Sequence, residues 1–127
     1  MFKKIENLPD DVVGIEVSGK LTHKDYVETL IPMVESALAQ RGRVKILCVF
    51  GDDFDGMELA AVWDDTKFGL KHWRDISHIA LVTEQNWIRA MTAMFAPLFP
   101  GIVRIFGFSD IEHAREWIST AVHKEAA

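Results

Sequence analysis

Arg43-Val44-Lys45-Ile46-Leu47-Cys48-Val49-Phe50-Gly51-Asp52-Asp53-Phe54-Asp55-Gly56-Met57-Glu58 is the stretch on which the fold turns. Val44 to Phe50 is a predominantly apolar run that stops at a glycine and three acids. Such a run fits a strand buried on both faces, as in the middle of an α/β sheet. Gly51 and Gly56 let the chain turn. Asp55, with Glu58 three residues on, reads as the N-cap and capping box of the next helix. The carboxyl end of a central strand is where open α/β sheets place their ligands.

The rest of the chain bounds this picture. With 127 residues it makes one domain, 1–127, large enough for a core. Fourteen basic and nineteen acidic residues give a net charge of −5, with no basic stripe, so nucleic acid is not an expected partner. Cys48 is the only cysteine, which excludes an internal disulfide. In an apolar run such a thiol is usually a small, inert hydrophobe. No apolar stretch follows the two N-terminal lysines, and none reaches the roughly 18–20 residues of a membrane span. A cytoplasmic location is expected.

Outward from the central strand, Phe2–Glu6 and the alternating Val13, Ile15 and Val17 read as a hairpin around Pro9-Asp10. Thr22, three residues before Asp25, reads as an N-cap. Tyr26, Leu30, Val34 and Leu38 follow at helical spacing, with Pro32 expected to kink the helix and Gly42 to end it. In the second helix Leu59, Val62, Trp63, Thr66, Leu70 and Trp73 form the expected inner face. Asp64, Asp65 and Lys67 fall outside it. Ile79–Val82 and Ile102–Phe106 read as strands. Asn86 is the expected cap of a third helix, and Ser109 with Glu112 the capping box of a fourth. A hairpin followed by alternating helices and strands predicts an α/β mixed sheet of four or five strands, covered by about four helices.

Several stretches together resemble the SpoIIAA-like family of small bacterial proteins, within the STAS-domain fold. They are Val13-Gly14-Ile15-Glu16-Val17-Ser18-Gly19-Lys20-Leu21, Asp53-Phe54-Asp55-Gly56, Trp63-Asp64-Asp65-Thr66-Lys67-Phe68-Gly69-Leu70-Lys71-His72, Ile79-Ala80-Leu81-Val82, and Glu112 with Ala114, Trp117 and Ile118. The resemblance covers nearly the whole chain. It implies a SpoIIAA-like sandwich, also similar to the lipid-binding lobe of CRAL-TRIO proteins, and a binding module rather than an enzyme. In the anti-sigma-factor antagonists of this class a loop serine is phosphorylated. Here that position falls on Asp55, and Asp52–Glu58 contains no Ser or Thr, so the switch loop would be Asp53, Asp55 and Gly56 with a fixed negative charge.

Other chemistry finds little support. Asp52, Asp53, Asp55 and Glu58 offer oxygen ligands for Mg²⁺ or a phosphoryl acceptor, but the opening hairpin and the lone Arg104 do not match a receiver domain. The five histidines show no i,i+4 metal pair and read as solvated or capping residues, so no metal and no other cofactor is expected. No catalytic residue is assigned.

Gln85 to Val103 carries Arg89 as its only charge. Trp87, Met91, Met94, Phe95 and Leu98 share one broad apolar face, more than a helix covering one side of a small sheet needs. Three readings compete for it: core and homodimer face, lid over an apolar cavity, or contact with a membrane surface. The favoured reading is a hydrophobic small molecule or lipid bound between the second and third helices. Its expected site is Met57, Trp63, Phe68 and Trp73 on one side and Trp87, Met91, Met94 and Phe95 on the other. Trp87, Met94, Leu98 and Phe99 would meet a membrane, at the inner face. The alternative is a STAS-type regulatory protein-interaction module working through the acidic loop, and a homodimer is expected in either case.

Overall fold

A computed structural model describes residues 1–72 and 74–121, and within the second helix it leaves the side chains at 59, 62–64, 69 and 70 undescribed. Five strands form the main sheet: β1 (Phe2–Lys4), β2 (Val12–Val17), β4 (Val44–Phe50), β6 (Ile76–Val82) and β7 (Ile102–Phe106), in the spatial order β1-β2-β4-β6-β7. β1 and β2 are the expected antiparallel hairpin, and every other neighbouring pair is parallel. β4 lies at the centre with the bounds its apolar run marked. Two two-residue strands, β3 (Lys20–Leu21) and β5 (Gly56–Met57), pair apart from the main sheet.

Helix α1 is continuous but has three parts, His23–Asp25, a π-wound turn at Tyr26–Leu30 and Ile31–Arg41. The expected cap is present: Thr22 Oγ1 accepts from Asp25 N, and the Asp25 carboxylate accepts from Thr22 N. The Ile31 amide reaches back to the Tyr26 carbonyl. Pro32, which has no amide hydrogen, follows at once, so its effect is a widened turn. Gly42 ends the helix at φ 77°, in the left-handed region that glycine enters without Cβ strain.

Helices α2 (Leu59–Lys71), α3 (Asn86–Phe95) and α4 (Ile111–Thr120) complete the layers, with 3₁₀ turns at Ala96–Leu98 and Phe108–Asp110. Three expected caps move. α2 starts at N-cap Glu58, not Asp55, because Gly56 and Met57 are taken up in pairing with Lys20 and Leu21. The Glu58 carboxylate instead accepts from the His23 amide at 2.8 Å. α3 is capped by Gln85, one residue before Asn86. Asp110, not Ser109, precedes α4, because the 3₁₀ turn occupies Ser109 and the Phe108 amide donates to Glu84.

The two faces of the sheet are covered differently. α4 lies on one, where Leu47, Ala80, Val82, Ala114 and Ile118 are fully buried. Lys45 is buried there too; its Nζ donates to the Ala121 carbonyl at 2.7 Å and pairs with Asp11 at 3.4 Å. An ammonium on the last carbonyls of a helix meets the negative end of its dipole. α1, α2 and α3 lie over the other face.

Candidate functional site

On that second face the sheet and the helices do not meet fully. A cavity of about 540 Å³ separates them, within the roughly 300–1,000 Å³ typical of small-molecule sites. Its floor comes from alternate residues of three strands, Ile15 and Val17, then Ile46, Cys48 and Phe50, then Ile79 and Leu81. Parallel register aligns Ile15, Cys48 and Leu81 in one row. β4 was expected to be buried on both faces. Instead Ile46, Cys48 and Phe50 keep accessible surface while Lys45, Leu47 and Val49 on the opposite face are buried.

Helix α1 forms one wall with Tyr26 and Leu30, the two ends of its π-wound turn. α2 forms another with Asp65, Thr66 and Phe68. The hydroxyl of Tyr26 donates to Asp65 Oδ1 at 3.0 Å. Crowding by protein raises the Asp65 carboxyl above its ordinary range, and the Tyr26 hydrogen bond offsets part of that. Asp65 is an exposed residue that also lines the cavity, so its carboxyl is reached from solvent as well as from the apolar floor. Burial, and then the nearby Asp65 charge, push the Cys48 thiol up to about 12, so it stays protonated at neutral pH and acts as an apolar group. Phe95 and Phe99 close the rim beneath α3, stacked 5.7 Å apart.

The expected ligand residues divide. Met57, Phe68 and Phe95 line the cavity. Trp87, Met91 and Met94 do not: they are 50%, 62% and 79% exposed on the outer face of α3. Trp87 stacks on Phe54 and gives its indole N–H to Gln85. Trp73 lies outside the described residues, as do the side chains of Trp63, Leu59, Val62 and Leu70 in the expected inner face of α2. Among the described residues that helix turns Ala61, Phe68 and His72 inward, and Asp65 shares their i, i+4, i+7, i+11 row. Asp65 is exposed, as expected, and also lines the cavity wall.

Of the expected membrane contacts, Trp87, Met94 and Leu98 are exposed, whereas Phe99 is 7% exposed and faces the cavity. Phe99 is thus a core residue, drawn in by its stack with Phe95. Asp53 and Asp55 are exposed in the loop after β4, and Gly56 pairs with Lys20 at φ 114°. Of the histidines expected to be solvated or capping, His72 is the C-cap residue of α2, buried and bonded to Asp75, whereas His78 is buried against Ser77 and the Trp117 ring. No group of three or more metal-ligating side chains occurs among the described residues. No helix among them is long and apolar enough to cross a membrane.

Sequence reading placed Tyr26 in an apolar stripe and Asp65 on a polar face, and so missed the pair. The one hint was the spacing of Asp65, three residues before Phe68 on the same helix side.

Comparison with known proteins agrees with the architecture. A family model described as SpoIIAA-like matches residues 12–119. A crystal structure from Shewanella loihica PV-4, of an uncharacterized protein of the DUF3478 family with a SpoIIAA-like fold, is similar over 93% of this chain and 92% of its own. Identity is 30% and the TM-score 0.74. The curated proteins contain no match.

Proposed function

The chain belongs to the SpoIIAA-like family, and from that premise we propose that it is a non-catalytic binding module that holds a hydrophobic small molecule or lipid. The observation that carries this reading is the cavity of about 540 Å³, whose floor is apolar side chains and one protonated thiol. A central strand left partly accessible on one face loses dispersion contacts that a packed face keeps. An apolar occupant restores them. The site lies between the sheet and the first two helices, with α3 at its rim, rather than between the second and third helices alone. α3 and the turn after it are the lid: Phe99 faces inward and Phe95, 38% exposed, stands at the rim, while Met91, Met94 and Leu98 present an apolar outer face to a lipid surface or a second copy.

Dodecanol tests this reading. It should raise the melting temperature of the wild type and leave that of Cys48→Phe, in which the new ring fills the cavity, unchanged. Ile79→Phe serves the same purpose if the first variant does not fold. Equal stabilisation of wild type and filled variants would place the ligand elsewhere.

A second reading rests on the acidic loop. The fold is consistent with a regulatory interaction module, and Asp52, Asp53 and Asp55 are all exposed after the central strand. A protein partner held there should be lost in Asp55→Lys and kept in Phe95→Asp.

A further inference from the structure

The cavity has one polar end, and its chemistry is selective. Asp65 receives the Tyr26 hydroxyl at 3.0 Å, and Thr66 lies beside it in the same wall. Among the described residues no cation pairs with Asp65, although it lines a cavity whose remaining surface is almost wholly apolar. A carboxyl in such a place binds best to a group that brings a proton donor, and charge-assisted hydrogen bonds are the strong ones. It disfavours an anionic head group, because like charges seated side by side repel. The Tyr26 hydroxyl already has an acceptor in Asp65, which leaves the carboxyl as the group that meets a newcomer.

We propose that the occupant is an amphiphile whose head group donates hydrogen bonds, an amine or an alcohol seated on Asp65, and that the corresponding carboxylate is rejected. This rests on the cavity reading and narrows it. The floor row of Ile15, Cys48 and Leu81 takes the chain, and Asp65 takes the head.

The test is calorimetric titration of dodecylamine, dodecanol and dodecanoate into the full chain at neutral pH, below their aggregation concentrations. The wild type should bind the amine and the alcohol at least about tenfold more tightly than the carboxylate. In Asp65→Asn the amine should weaken about tenfold, dodecanoate should gain, and the alcohol should change little. A net charge of −5 draws any amine in general, so the specific readout is the loss in Asp65→Asn. Tyr26→Phe keeps the carboxyl and must keep the preference. If Asp65→Asn does not fold, the wild-type ranking and Tyr26→Phe decide. Equal binding of all three probes would overturn the head-group assignment and leave the cavity reading standing. Binding of none would overturn both.

Discussion

The two faces of the sheet are built from the same residue types and end differently. Toward α4, Leu47, Ala80 and Val82 meet Ala114 and Ile118 with no accessible surface left. Toward the other helices, Ile46, Cys48, Ile79 and Leu81 alternate with them along the same strands and face a cavity. One strand therefore carries a packed core on one side and the floor of a cavity on the other. The packed face fixes the sheet, so the opposite face can stay hollow without loss of the fold.

The comparison is broken most sharply by truncation. Leu47→Ala on the packed face should cost about 3–4 kcal/mol, since the removed methyls leave a cavity that cannot collapse. Leu81→Ala on the hollow face should cost about 1–2 kcal/mol, because part of that side chain has no neighbours to lose. Urea unfolding of both variants measures the gap; equal costs would mean that the second face is packed too.

Replacing the buried lysine should have the next largest effect. Lys45→Met keeps the volume but removes the donor to the Ser119 and Ala121 carbonyls and the partner of Asp11. A cost of about 2–3 kcal/mol is expected, with amide exchange fastest at the end of α4.

Enlargement sharpens the same contrast. Ala80→Leu should destabilise by about 1–3 kcal/mol through overpacking. Cys48→Leu, which extends into open space, should stay within about 0.5 kcal/mol of wild type in the same urea assay.

The smallest effect is electrostatic. Asp65 is raised in the folded protein, so the folded state holds its proton more tightly than the unfolded chain does. Its contribution is fully present below the unfolded carboxyl range and is lost as pH rises through the folded value. Asp65→Asn should thus be the more stable protein at neutral pH and lose this part of the pH dependence. Thermal melts between acidic and neutral pH check it; a variant less stable than wild type at neutral pH would contradict the assignment.

How far the sequence reached follows from what each signal encodes. The central strand, the hairpin, the cap at Thr22 and the last strand rest on local pattern, and the structure keeps them. The rotation of α2 does not rest on local pattern alone. Most of its expected inner face lies outside the described side chains, and among the described residues Ala61, Phe68 and His72, none of which that face included, are the buried row. The start of α2 depends on Gly56 and Met57 pairing with residues far earlier in the chain. The cavity itself leaves no periodic trace, because an isoleucine lining a void has the same spacing as one in a core. The Tyr26–Asp65 bond joins residues on two helices, and only the tertiary fold brings them together.

Methyl NMR during titration with dodecanol tests the central claim most directly, because it reads both faces of the sheet at once. The expected result is shifts at Ile15, Ile46, Ile79 and Leu81, with Leu47, Val82 and Ile118 unmoved. Shifts confined to Met91, Met94 and Leu98, with the hollow face silent, would place binding on the outside of α3 and contradict the account.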